Sequence, residues 1–159
     1  MAALEGFAAR AQRRVGLRGE VAILITTSAQ LRRLNRDFRG KDHPTDVLSF
    51  PSEAQGMAGD IAISRPIARR QAKALGHSLA IELKVLILHG MLHLAGHDHE
   101  HDRGEMAKLE ARLRARFGLA HGLIERSKRS VEAPSPALRK KASAPARRTI
   151  KSSRKRPGQ

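Results

Sequence analysis

Residues 78–95 of this chain, SLAIELKVLILHGMLHLA, leave a fold the least choice. Read at a helical period of about 3.6 residues, their apolar positions lie nearly all round the axis rather than along one stripe. A helix of that kind holds in water only when other elements cover it on most sides. The spacing therefore predicts a central buried helix that the rest of the chain must wrap. The run is interrupted by Glu82, Lys84, His89 and His93. It falls short of the roughly 18 apolar residues that a membrane span needs.

The flanking sequence supplies the wrapping. Leu4, Phe7, Ala8, Ala11 and Val15 fall at helical spacing over residues 4–15, with Gly16 as a stop. The β-branched run 21-VAILIT-26 predicts a strand. Thr27 followed by Gln30 has the form of a capping box. It opens a helix that should carry Leu31, Leu34 and Phe38 on one apolar face and stop near Gly40. A turn-rich link, 40-GKDHPT-45, leads to a second strand, 46-DVLSF-50, closed by Pro51, and 60-DIAIS-64 makes a third. Pro66 suits a helix start and Gly76 a helix end. Asp102 with Glu105 starts a last helix, with Met106, Leu109, Leu113 and Phe117 as its stripe and Gly118 as its cap. The expected fold class is α+β: a small mixed sheet of three to four strands packed against helices, with the buried helix at the centre.

Composition sets the domain boundary. The formal net charge is +16, and it is uneven. Residues 127–159 hold 11 Lys and Arg against Glu132 alone, with four of the seven prolines and only Val131, Leu138 and Ile150 as large aliphatics. Such a segment cannot bury enough apolar surface to offset its ordering entropy. The expectation is one domain over residues 1–126 and a disordered basic tail over 127–159. The charge predicts a polyanionic partner, RNA or DNA ahead of anionic lipid. There are no cysteines, which excludes disulfides and thiolate metal sites and is compatible with a reducing cytoplasm. The first residues lack the apolar core of a secretory signal. A soluble, cytoplasmic protein is expected.

The segment 89-HGMLHLAGHDH-99 carries the chemistry. On a helix, His89 and His93 project from one face, about 6 Å apart along the axis, where two imidazoles can bind one ion. Gly96 can take the positive-φ turn that ends the helix and lets His99 reach the same point. Three neutral imidazoles with one open position make a catalytic-type zinc site rather than a closed structural one, although nickel and copper also accept imidazole. His97 and His101 read as exposed loop residues. Asp98 is either an acceptor that orients a ligand histidine or a turn aspartate. Gly90 stands where the metalloprotease motif H-E-x-x-H has its general base. Peptide hydrolysis needs a proton carried to the leaving nitrogen, whereas RNA offers its own 2′-hydroxyl nucleophile and an oxygen leaving group. The missing glutamate shifts weight toward phosphodiester chemistry.

The string H-G-x-L-H-L-x-G-x-D-H resembles the signature of the YbeY family of bacterial endoribonucleases, at His89, Gly90, Leu92, His93, Leu94, Gly96, Asp98 and His99. The segments 39-RGKDHPTDVLSFP-51 and 59-GDIAIS-64 resemble that family too, in the same order, so that the likeness covers roughly residues 20–118. It implies a single-strand-specific, metal-dependent endoribonuclease acting in 16S rRNA 3′-end maturation and ribosome quality control. It implies that His89, His93 and His99 bind one Zn2+ per chain, and that Arg39 is functional in the cleft. Arg39 and His89 are then the catalytic candidates. Ribosomal RNA and the ribosome or its small subunit are the implied partners, with neither DNA nor a membrane expected and no oligomeric state legible. The family usually begins with another strand, whereas here a helix comes almost at once, and the basic tail is not part of the family core. Two other readings stand beside this one: a metalloprotease-like hydrolase, and a non-catalytic ribosome assembly factor with structural zinc.

Overall fold

The structure, a computed structural model, describes residues 2–119. The expected boundary at 126/127 and the basic tail lie outside the described residues. The elements follow in the order α1 (Ala2–Val15), β1 (Glu20–Thr26), α2 (Ser28–Arg39), β2 (Val47–Pro51), β3 (Met57–Ser64), α3 (Arg65–Leu75), α4 (Leu79–Leu94) and α5 (Glu105–Phe117). The sheet has the order β1-β3-β2, parallel between β1 and β3 and antiparallel between β3 and β2. This is the expected α+β class, with three strands among the described residues.

The all-round apolar helix lies where its composition requires. In α4, Leu86, Leu88, Met91 and Leu92 have no exposed surface. They pack with Ile61 and Ile63 of β3, Phe7 and Ala11 of α1, and Met106 and Leu113 of α5. Phe7 and Phe117 meet edge to face, with ring centroids 5.1 Å apart. The other face of the sheet is covered by α2, through a smaller cluster of Leu31, Leu48 and Ala62. Strand alternation separates the two layers: Ala62 faces α2 while its neighbours Ile61 and Ile63 face α4. Among the described residues no single helix is long and apolar enough to cross a membrane.

Two local readings change. The middle strand begins at Met57, not Asp60, because Met57 pairs with Glu20 and Gly59 with both Val21 and Pro51. A Gly-containing strand start carries little β-propensity. Phe38 is not buried with Leu31 and Leu34 but 70% exposed. Its helical face is the expected one, but at the last turn of α2 the ring rests edge to face on the half-buried Phe50 and keeps its outer side in solvent. Asn35 takes the buried place instead and donates to His43 O at 2.9 Å, tying down the link that follows. The capping box is half made. Thr27 Oγ1 accepts from Gln30 N at 3.2 Å, while the Gln30 side chain bonds Thr26 rather than reaching back to Thr27.

Candidate metal centre and cleft

The ligand helix starts at Ser78, whose hydroxyl accepts from Ile81 N at 3.3 Å. It ends in a Schellman turn. Gly96 takes φ 91°, Gly96 N donates to His93 O and His97 N to Leu92 O, both at 3.0 Å. The reversal brings His99 back over the last turn of α4. The rings of His89, His93 and His99 have centroids 4.7 to 5.3 Å apart, and one ligand nitrogen from each lies within 4.8 Å of the others.

Three observations fit this cluster to a metal ion. His89 Nε2 and His93 Nε2 are 3.1 Å apart, close to the roughly 3.3 Å expected for two nitrogens on one tetrahedral zinc. The His89 Nδ1 side is fixed by Glu110 Oε2 at 3.0 Å, both residues being buried. With Nδ1 donating to the carboxylate, the Nε2 lone pair is left for the ion. Finally, burial, followed by the neighbouring charges of His89 and His99, pushes the His93 pKa down to about 4. That imidazole is therefore in its neutral, ligating form at physiological pH.

Glu110 is the residue that sequence reading missed. It sits on α5, four residues after Met106 and three before Leu113, so an acid occupies the apolar stripe and is 1% exposed. An acid at a core position was the available signal. Arg114 Nη1 lies 3.7 Å from its other oxygen. Asp98, by contrast, belongs to the turn. It accepts from Glu100 N at 3.0 Å and meets His101 Nδ1 at 2.6 Å. That contact holds the Asp98 pKa below its ordinary value and raises that of His101. His101 is exposed as expected, whereas His97 is half-buried.

Gly90 explains how the helix is seated. A Cβ there would lie 2.9 Å from Ile61 Cγ2 and 3.0 Å from Ser49 Oγ, so α4 rests directly on β3 and β2. Ser49 Oγ donates to Gly90 O at 3.2 Å. Residues advance about 100° per step around the axis. With Gly90 toward the sheet, Ile87 and Met91 turn one way into the main core, and His89 and His93 turn the other way, where His89 meets Glu110 of α5. Ser64 N bonds Asp46 O and Ser52 N bonds Ala58 O. That phase leaves the Ser49 carbonyl pointing outward. Arg39, the last residue of α2, donates from Nη2 to that carbonyl at 3.1 Å. The structure thus joins Arg39 to the ligand helix through one intermediary residue, Ser49.

Comparison with known proteins agrees with this geometry. A family profile described as Endoribonuclease YbeY matches residues 2–118. Endoribonuclease YbeY of Koribacter versatilis is 59% identical over 121 residues, which is 76% of this chain and 80% of that protein. The protein of the same name from Solibacter usitatus is 58% identical over 124 residues, covering 78% and 84%. The solution structure of TM1509 from Thermotoga maritima matches with a TM-score of 0.52 at 28% identity, over 86% of this chain and 91% of that one. Two imidazoles on a buried helix, a third from the turn after it, an arginine bonded at the edge of β2 and this degree of likeness lead to one conclusion: the chain belongs to the YbeY family of endoribonucleases.

Proposed function

We propose that this chain is a zinc-dependent, single-strand-specific endoribonuclease of the cytoplasm. Its substrate is the 3′ end of 16S rRNA, in maturation and in ribosome quality control, and its partner is the ribosome or its small subunit. The observation that carries the reading is the convergence of His89, His93 and His99 on one point, with Ser49, the residue that Arg39 grips, bonded to the same helix at Gly90 O. Those histidines would hold one ion, and a bound zinc would supply Lewis acidity toward a phosphoryl oxygen. Arg39 is the catalytic candidate on the protein side. One of its N–H groups is engaged by Ser49 O, and a guanidinium has five, so others remain to grip a phosphate and neutralise charge that develops on it. His89 acts through its ring orientation, which Glu110 fixes.

Peptide hydrolysis is disfavoured on physical grounds. A glutamate after the first ligand histidine would drive its side chain into Ile61 and Ser49. Glu110 does touch the triad, but on the Nδ1 side of His89, away from where the lone pairs meet. It cannot serve as a base at the open face. The surface charge suits RNA. A groove of about 550 Å3 at the far end of α5 is lined by Arg10, Arg13, Arg14 and Arg116. We read residues 1–126 as the nuclease domain and 127–159 as a separate basic RNA-contacting tail.

The test is elemental analysis of protein purified without a metal column, paired with cleavage of rRNA. His93→Ala should lose both zinc and cleavage. Arg39→Ala should keep zinc and lose about 100-fold or more in rate, as for removal of a transition-state charge partner. A His93→Ala protein that cleaves like its parent would overturn the site. Ribosome binding that survives Arg39→Ala, with no cleavage by the parent at any metal loading, would favour the assembly-factor reading.

A further inference from the structure

Phe38 is the most exposed large apolar side chain among the described residues. A lone exposed phenylalanine is ordinary, but the placement of this one is not. Its ring stands edge to face on Phe50, with centroids 5.3 Å apart and planes at 61°. Phe50 is packed against the cluster of Leu31, Leu48 and Ala62, so the ring behind Phe38 cannot withdraw. Phe38 precedes Arg39, and Phe50 follows Ser49, the residue whose carbonyl Arg39 grips. The aromatic pair and the guanidinium therefore approach the same end of β2. Ser49, next to Phe50, bonds Gly90 O of the ligand helix on the opposite face of the sheet. Over residues 33–41 four basic side chains, Arg33, Arg36, Arg39 and Lys41, accompany one carboxylate, Asp37.

We propose that Phe38, backed by Phe50, is a stacking platform for an unpaired nucleobase of the RNA substrate, next to the phosphate that Arg39 binds. The proposal rests on the endoribonuclease reading above and adds to it a specificity-determining residue. A ring beside a guanidinium matches the two halves of a nucleotide, with the base on the ring and the phosphate on the cation. Every base has a π-face, so such a contact tolerates any sequence. A base already stacked within a duplex cannot use it. The platform thus selects single strands without reading base edges, and it places the strand across the β2 edge toward the triad.

The experiment uses the full chain and a short RNA carrying 2-aminopurine, whose fluorescence falls on stacking, as a single strand and as a duplex. Variants are Phe38→Ala, Phe38→Leu, which keeps an apolar side chain without a ring, and Phe38→Trp, which restores one. Because Phe38 is exposed, zinc content should match the parent in all three, and the melting temperature should fall only slightly in Phe38→Ala and Phe38→Leu, which lose the edge contact with Phe50. Parent and Phe38→Trp should quench the single strand. Phe38→Ala and Phe38→Leu should lose the quench and bind single strands about 5- to 100-fold more weakly, the size of one base-stacking contact. The loss should appear in KM for single-stranded RNA. Phe38→Leu that binds and quenches like the parent would overturn the proposal. So would a parent that sediments as a dimer which Phe38→Ala splits, since the ring would then be a subunit contact. If the parent cleaves RNA but Phe38→Leu shows no change in KM or quench, only the platform falls. If the parent cleaves no RNA but the quench depends on the ring, the platform stands and the nuclease reading falls.

Discussion

Replacing Gly90 with alanine measures how tightly the ligand helix lies on the sheet. The new Cβ would stand 2.9 and 3.1 Å from two carbons of Ile61 and 3.0 Å from Ser49 Oγ. Carbon contacts are comfortable at about 3.5–4.0 Å, so the overlap is roughly half an ångström on two sides. Neither neighbour has room to retreat. Ile61 is fully buried in the middle strand, and Ser49 is buried and bonded to the same helix. Two effects oppose each other. Alanine gains about 1 kcal/mol over glycine inside a helix. Overpacking a core costs about 1–3 kcal/mol, and losing the Ser49–Gly90 hydrogen bond adds about 1 kcal/mol. Overpacking wins, leaving a net loss of about 1–3 kcal/mol by these magnitudes. At about 4 °C per kcal/mol for a domain of this size, the melting temperature should fall by about 4–12 °C. Thermal unfolding of metal-stripped protein, followed by circular dichroism, gives the number. A Gly90→Ala protein as stable as its parent would mean that the gap between helix and sheet is wider than described. A glutamate after His89 would then no longer be sterically barred.

Other outcomes follow from the same geometry. Glu110→Gln keeps the volume but removes the charge on His89 Nδ1. Zinc affinity, read by competition with a chromophoric chelator, should drop about 10-fold or more, and unchanged affinity would remove Glu110 from the site. In metal-stripped protein His93 titrates near 4 when folded and near about 6.5 when unfolded. Between those values the unfolded state binds the extra proton, so stability should decline as pH falls from about 6.5 to about 4 and be flat with respect to this group above that window. A series of urea midpoints against pH, in parent and His93→Gln, checks the sign. Deleting residues 127–159 should flatten the salt dependence of RNA binding, by close to one unit of log–log slope for each phosphate that the tail neutralises. An unchanged slope would make the tail a bystander.

The ligand helix and its three histidines were legible because their signals are local. Apolar positions all round an axis demand burial, an i, i+4 pair shares a face, and a glycine at the helix end permits the reversal that carries His99 back. Arg39 was reached only through family resemblance, since nothing in its neighbourhood distinguishes it from an ordinary surface arginine until the phase of β2 turns Ser49 O outward. Glu110 was missed because its partner lies 21 residues away. Only packing brings α5 against the metal helix. Phe38 was misplaced for a related reason. Periodicity gives the face of a helix but not how deeply each turn is covered, and at the last turn of α2 Phe38 rests on the half-buried Phe50 and stays exposed.

The three candidate ligands do not have equal standing in the chain. His89 and His93 are carried by one rigid rod in the middle of the core, so two of the three ligand positions exist as long as the domain is folded. His99 arrives from the far side of a glycine hinge, on a turn anchored largely by its own backbone and Asp98. A bound ion would be held by two ligands fixed with the helix and a third whose place depends on the turn. Opening of that turn would loosen one ligand of three without unfolding the helix that carries the other two. A chelator should strip such a protein while leaving its fold standing, ready to be reloaded.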